Sequence, residues 1–399
     1  MKKIRNLVLL LTLLVITSLV SYRVGEQSIQ SENTKTGKLD LSMMWKVKDR
    51  LTEMYLDKDK INDDNMVYGA IQGMVASLDD PYTMFLTPKE NESANEDLAG
   101  QFGGVGIQLG YKDKSLAVVA PLAKTPAEKA GLQAGDLILK IIDNENKVDR
   151  ETDGMALDEA VSLIRGKIDT EVTLKIYRES KKDAFDVTLK RENIVVASSE
   201  LVWREKNGKK VAWVRLYKFS DQLYTDWPKI VEEIKSKNAD GIVLDLRNNP
   251  GGFLQSAVTV ASDLVKEGVI VSQESFDGSV QKYSVDQSKG ELLDKKMVVL
   301  VNGGSASAAE ILAGALKDYG RAKLVGEKTF GKGTVQQPED FSDGSGLHIT
   351  IAKWLLPSGK NIHEVGVDPD VEVKYVADEK NPEADNQLDK AIEVLWEKQ

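Results

Sequence analysis

Val301-Asn302-Gly303-Gly304-Ser305-Ala306-Ser307-Ala308-Ala309-Glu310 and, further on, Phe330-Gly331-Lys332-Gly333-Thr334-Val335-Gln336 decide how this 399-residue chain reads. The first piece leaves an apolar strand, turns through small residues and runs into a helix. Ser307 therefore sits among the unpaired N–H donors of a helix N-terminus, which favour negative charge. Such a place stabilises a developing alkoxide and a tetrahedral oxyanion. The plain alternative is equally specific: Ser307 followed by Glu310 is also a capping box. On this fragment alone the two readings stand level.

A serine hydroxyl needs a base before it attacks well. The chain has two histidines, His348 and His363, both late. Neither carries a compelling motif, although His363 in Asn361-Ile362-His363-Glu364 stays open. Lysine is the other option, and it serves only where desolvation or positive neighbours bring its pKa down. Lys332, between Gly331 and Gly333 in an uncharged stretch, is the candidate; a solvated surface lysine is the ordinary alternative. Gln336 lies four residues on. In a helical turn the two side chains would be neighbours; in an ideal strand their backbones would be about 13 Å apart. A Lys332–Gln336 bond thus requires a helical turn or a bent strand.

The composition is globular, 41% apolar and 29% charged, and the length accommodates two or three domains. A net charge of −10 argues against a general nucleic-acid binder. With no cysteine, thiolate nucleophiles, disulfides and Cys-ligated zinc are excluded.

Lys2, Lys3 and Arg5 precede an uncharged apolar run at 7–20, as in a secretory signal. No clear cleavage site follows. We read residues 1–24 as a signal anchor or signal peptide, the uncleaved anchor preferred. The expected location is the extracytoplasmic face of the cell membrane, or secreted if the segment is cleaved.

Residues 25–97 read as a polar tether and a helical region, with helical spacing at 39–56 and 63–78 and a stop at Asp79-Asp80-Pro81. A homodimer through this region and the terminal helix is left open. Residues 98–190 change to short strands and short helices. Residues 191–399 alternate apolar strands with amphipathic helices, as in a mixed sheet with helical cover. In this part, Arg247-Asn248-Asn249-Pro250-Gly251-Gly252 is a tight turn after the buried strand 241–246.

The segment 98–190 resembles a PDZ domain through Gly104-Val105-Gly106-Ile107, Thr125-Pro126-Ala127-Glu128-Lys129-Ala130-Gly131-Leu132 and Gly135-Asp136-Leu137-Ile138. Backbone N–H groups in such a Gly-rich turn can nest a carboxylate, and the strand after it can pair with an extended peptide. The resemblance implies that Gly104, Val105, Gly106 and Ile107 bind protein C-termini with apolar last residues. Asp169 departs from the pattern, which usually has glycine there. Arg165 is either a surface charge or a contact between this module and the core.

Ser307-Ala308-Ala309-Glu310 and Lys332-x-x-x-Gln336 together resemble the C-terminal processing peptidases, the S41 serine peptidase family. Further matches are Ser77-Leu78-Asp79-Asp80-Pro81-Tyr82-Thr83, Asp245-Leu246-Arg247 with the turn after it, and Trp354-Leu355-Leu356-Pro357-Ser358-Gly359-Lys360. The resemblance implies an α/β multidomain fold: a ClpP/crotonase-like α/β-sandwich core with an inserted PDZ domain and an N-terminal helical region. It implies a serine endopeptidase that cleaves proteins near their C-termini without metal or cofactor. Ser307 would be the nucleophile, Lys332 the general base and Gln336 its orienting partner. The oxyanion hole would use the N–H of Ala308 and one from Gly251 or Gly252. The rivals are a non-catalytic, membrane-tethered PDZ scaffold and a PDZ-bearing trypsin-like protease. The second needs a histidine ahead of its serine, and none precedes residue 348.

Overall fold

The computed structural model describes residues 40–397 apart from 113, 123, 377–380, 382 and 383. The chain divides into two compact units, Met1–Ile71 and Gln72–Gln399.

In the first unit, helix α1 (Ser42–Met54) and a single 3-10 turn (Lys58–Lys60) lead into helix α2 (Asp63–Ala76), which runs on into the second unit. α1 is amphipathic but buries none of its residues; Met43, Trp45, Val47 and Met54 are exposed. Lys48 pairs with Asp63 at 3.0 Å.

The expected anchor at 1–24 lies outside the described residues. Among the described residues no helix is long and apolar enough to cross a membrane. The expectations of a signal anchor, a membrane partner and an extracytoplasmic membrane location are therefore withdrawn: the described residues supply no spanning element on which they could rest.

The second unit opens with strand β1 (Met84–Leu86) and helix α3 (Pro88–Ala99). Thr87 and Glu90 form a capping box, Pro88 occupies the first turn, and Gly100 ends the helix at φ +72°. Strand β2 (Gln101–Gly104) follows. The β-rich module comes next: β3 (Ile107–Lys112), β4 (Ser115–Pro121), α4 (Pro126–Lys129), β5 (Leu137–Asp143), β6 (Val148–Glu151), α5 (Leu157–Ile164), β7 (Glu171–Tyr177) and β8 (Phe185–Lys190). Its sheet is antiparallel in the order β3-β4-β5-β7-β8, with β6 on β5, so β3 is an edge strand. Alternation along β7 buries Val172, Leu174 and Ile176 against Leu116, Ile138 and Ile141. Asp169, where glycine was expected, adopts φ +74°, a conformation that aspartate tolerates better than most residues. Arg165 does contact its surroundings: its guanidinium lies 3.8 Å from the Phe102 ring of β2 and 3.8 Å from Asp97 of α3.

Strand β9 (Glu192–Val195) pairs antiparallel with β2 and closes the module's stem. The core follows with β10 (Ser199–Lys206), β11 (Lys209–Leu216), α6 (Gln222–Ser236), β12 (Gly241–Asp245), α7 (Leu254–Leu264), β13 (Val269–Ser275), β14 (Val280–Ser284), β15 (Lys296–Val301), α8 (Ala308–Asp318), β16 (Lys323–Gly326), β17 (Thr334–Asp340), β18 (Gly346–Leu355), β19 (Val371–Glu372) and α9 (Asn386–Trp396). One sheet runs β10-β11-β12-β15-β16-β19, parallel from β11 onward. An antiparallel sheet runs β1-β18-β13-β14, with β17 also on β18.

The strands of the parallel sheet are buried on both faces, which explains their continuous apolar runs. Ile242 and Leu244 of β12 face α6, α7 and α8 in the main core, while Val243 faces Leu388, Ala391 and Leu395 of α9. The chain is thus a multidomain α/β protein with a β-rich insert. This layering matters because the turns that leave β12 and β15 come out side by side at the carboxyl ends of adjacent parallel strands.

Candidate active site

Two turns are stitched together where β12 and β15 end. Ser305 Oγ donates to the Leu246 carbonyl at 2.7 Å and accepts the Asn302 N–H at 3.0 Å. Asn302 Oδ1 accepts the Asn248 N–H at 2.8 Å, and the Ala306 N–H reaches the Asn249 carbonyl at 2.9 Å. Ser305 is therefore fully buried and spent on the turn, whereas Ser307 is only half-buried. Ser307 is the residue that caps α8, at φ +54° and ψ −118°. A non-glycine residue held there costs on the order of 1–3 kcal/mol and persists only where its surroundings over-determine it. A strained serine at a sharp strand-to-helix turn is the arrangement that lifts a nucleophile's hydroxyl clear of a sheet.

Glu310 supplies much of that determination. Its carboxylate is completely buried and accepts four hydrogen bonds. Oε2 takes the Ser307 N–H at 2.9 Å and the Lys332 N–H at 2.8 Å. Oε1 takes Thr329 Oγ1 at 2.5 Å and the Gly331 N–H at 2.7 Å. The capping reading and the site reading of Ser307-x-x-Glu310 are thus not rivals. The glutamate that caps the helix also draws the lysine loop against the serine turn.

The lysine loop has its own reasons for glycine. Gly331 adopts φ +95°, and a Cβ on Gly333 would collide with the His363 backbone. Lys332 is half-buried, with Nζ 5.0 Å from the centroid of the Tyr82 ring. Burial pushes its ammonium below the ordinary lysine value, and the Asp80 carboxylate works weakly against that. Both histidines gather around the lysine. Burial, and after it the charge of Lys332, lowers the His348 imidazole. The His363 ring stands edge-on to Tyr82 at 6.2 Å.

Gln336 lies in β17, at a register shift between Val335 and Gln336 against β18. Among the described residues no hydrogen bond from Lys332 reaches Gln336. Its amide nitrogen donates to Thr334 Oγ1 at 2.9 Å and to Thr350 Oγ1 at 3.2 Å.

The glycine turn abuts the serine. A Cβ on Gly251 would stand 2.7 Å from Ser307 Cβ and 3.0 Å from the Ala308 nitrogen. The two glycines differ in what they can donate. The Gly251 N–H is held by Asn249 Oδ1 at 2.9 Å, and the Gly251 carbonyl accepts from Phe219. Among the described residues no acceptor takes the N–H of Gly252 or of Ala308.

In the β-rich module, Val105 is buried and its carbonyl accepts the Ala127 N–H at 2.9 Å, while Gly106 turns at φ +75° against Thr125. Among the described residues the N–H groups of Val105 and Gly106 have no acceptor. Ile107 opens the edge strand β3, which α5 flanks. Two adjacent uncommitted N–H groups are thus followed by a strand edge that, among the described residues, has no partner on its outer side.

Sequence reasoning misses Glu310, Thr329, Asn249 and Tyr82 as site residues. Glu310 has a sequence signal, its capping spacing from Ser307. Asn249 and Tyr82 lie within stretches that carry the family resemblance, whereas Thr329 has no such signal, because its partner Glu310 lies 19 residues away.

The model of Peptidase family S41 matches residues 210–373, that of the PDZ domain 103–189, and that of the activating protease CtpB N-terminal domain 16–90. The carboxy-terminal processing protease CtpA of Bacillus subtilis (strain 168) is 35% identical over 92% of this chain and 76% of its own. The chain belongs to the S41 carboxy-terminal processing peptidases. A probable CtpA-like serine protease of Staphylococcus aureus (strain MRSA252) is 39% identical over 90% of this chain and 69% of its own. The solved photosystem II D1 C-terminal processing protease superposes with a TM-score of 0.50 at 33% identity, covering 82% of this chain and 86% of that one. This S41 peptidase is a serine endopeptidase of the kind that acts near protein C-termini.

Proposed function

We propose that Ser307 is the nucleophile of this endopeptidase, Lys332 its general base and Gln336 the residue that orients the lysine. The observation that carries the reading is the shared acceptor: Ser307 and Lys332 donate their backbone N–H groups to one oxygen of Glu310. Neutral Lys332 takes the hydroxyl proton as Ser307 Oγ attacks the scissile carbonyl. The oxyanion accepts from the N–H of Ala308 and of Gly252, the member of the Gly251-Gly252 pair whose N–H is uncommitted. The lysine ammonium then protonates the leaving amine, and water resolves the acyl-enzyme with Lys332 again as base. Gln336, its amide nitrogen held by two threonines, turns its amide oxygen to the role of accepting from the ammonium.

The same reading takes 98–190 as the PDZ domain that captures the substrate tail through Gly104, Val105, Gly106 and Ile107, after a helical region at 25–97. Residues 191–399 are the protease core. Its parallel sheet, with helices on both faces and a second sheet packed beside it, supports assignment to the ClpP/crotonase-like sandwiches.

The test is hydrolysis of a protein with an apolar C-terminal tail. Ser307→Ala and Lys332→Ala are each expected to lower kcat by about three orders of magnitude or more without changing the melting temperature downward. Full turnover in either variant would remove this mechanism.

A further inference from the structure

Tyr82 belongs to none of the roles assigned above, yet its ring faces the lysine ammonium. Nζ of Lys332 is 5.0 Å from the ring centroid, inside the range of a cation–π contact. The ring is held from two sides. His363 stands edge-on to it, with centroids 6.2 Å apart at 64°. The loop that carries it is tied down residue by residue: the Tyr82 N–H donates to Asp80 Oδ1 at 3.0 Å, and Thr83 Oγ1 donates to Asp80 Oδ2 at 2.6 Å. The Thr350 N–H donates in turn to Thr83 Oγ1 at 3.0 Å. Thr350 is the residue of β18 that also receives Gln336, so one strand fixes both Tyr82 and the lysine's other partner. β1 then extends the loop by pairing with β18 from Met84↔His348 to Leu86↔Gly346.

We propose that Tyr82 is a positioning residue for the general base: its ring face holds the Lys332 ammonium where the leaving amine needs it. The proposal rests on Lys332 being the base.

The physical reason is differential. The ring's quadrupole attracts the ammonium and is indifferent to the neutral amine. The contact therefore strengthens as the proton passes from serine to lysine, which is where an interaction accelerates the reaction. The other charged or titratable groups around the lysine are Asp80 on the same loop, Glu310 on α8, His348 on β18, and His363 with Glu364 on the loop before β19. Asp80 stays ionised: burial would raise its carboxyl, but hydrogen bonds from Thr350, Thr83 and the loop backbone hold it below the usual range. A carboxylate and a ring thus oppose desolvation from one loop.

The experiment follows the pH dependence of kcat/KM for the full chain on a protein with an apolar tail. Activity rises with pH as the lysine loses its proton, so this acid limb reports the lysine of the free enzyme. Tyr82→Leu keeps the site apolar and removes the ring face. The acid limb is expected to move down by about half to one and a half pH units, and kcat to fall about 3- to 30-fold with little change in KM. Tyr82→Phe keeps the ring and is expected to leave the limb where the wild type has it. Should Tyr82→Leu melt early, stepwise fluorination of a phenylalanine at 82 leaves the shape and weakens the ring face, and the limb should step down with each fluorine. An unmoved limb in both series overturns the proposal. So does a Tyr82→Phe limb displaced as far as that of Tyr82→Leu, which would give the role to the hydroxyl. Turnover surviving in Ser307→Ala would instead strike the underlying dyad, so the two failures are distinguishable.

Discussion

Ser307 and Lys332 are each placed at a cost to the fold. The serine occupies a backbone conformation that most residues avoid, and the lysine is half-buried, with its ammonium held below the ordinary value by desolvation. The lysine makes a thermodynamic prediction. Between its lowered folded pKa and its ordinary value of 10.5, the unfolded chain binds the proton more tightly than the folded one. Stability from this group therefore rises with pH across that window. Lys332→Met removes the penalty. It is expected to be inactive, to melt higher than the wild type at pH 7, and to lose that advantage as pH approaches the ordinary lysine value. Melting curves at pH 7 and pH 10 decide the point, and a variant less stable at pH 7 would contradict it.

At the scale of elements, the site is a junction between the start of α8 and the loop before β17, and Glu310 is the joint. A carboxylate can accept from all four donors around it. An amide cannot, because one of its two ends donates. Glu310→Gln therefore leaves two buried donors facing an NH2 group. With hydrogen bonds to charged groups contributing about 1.5–3 kcal/mol each, the variant should lose about 2–4 kcal/mol of stability, read by denaturant titration. Its kcat should fall by about two orders of magnitude or more, since Ser307 and Lys332 would no longer share an anchor. A stable variant with unchanged kcat would show that the serine turn and lysine loop keep their geometry without it. The element boundaries themselves are partly readable in the sequence. The helix at 157–164 and the buried strands follow their periodicity closely. β17 is not readable, because Pro338 and its acidic neighbours suppress any strand signal, and it forms only because β18 offers an edge.

At the scale of the whole molecule, the last helix is bound to the central sheet by a buried charge cluster. Arg247, just past β12, donates to Asp245 and to Asp385 at 2.6–3.0 Å, and to Gln387 at 3.0 Å. Asp385 is also the N-cap of α9. Burial would raise its carboxyl, but the hydrogen bonds and charge of Arg247, together with the N-cap donors, hold it lowered. That stabilisation is present above the ordinary carboxylate value and is lost as pH falls through the folded one. Arg247→Leu leaves buried Asp245 and partly buried Asp385 without their cation and is expected to cost about 3 kcal/mol at pH 7. The deficit should shrink toward pH 4 as Asp385 accepts a proton in the variant first. Urea titrations at the two pH values test this, and a deficit that grows on acidification would refute it.

The sequence by itself determined what depends on neighbours along the chain: the strand-to-helix turn around Ser307, the glycines flanking Lys332, the apolar runs of the parallel sheet and the Gly104-Val105-Gly106-Ile107 turn. The scarcity of histidine, with both copies late in the chain, turns the search for a base toward lysine, with His363 still open. Tertiary structure decided what depends on partners distant in sequence. It spent Ser305 on Leu246, committed the N–H of Gly251 to Asn249 and, among the described residues, gave that of Gly252 no acceptor. It shifted the register of β17 at Gln336 and brought Tyr82 against the lysine. The physical reason is the same in each case. A hydrogen bond or ring contact has a range of a few ångströms, and only the packing of sheet on sheet brings residues 82, 310, 332 and 363 within it.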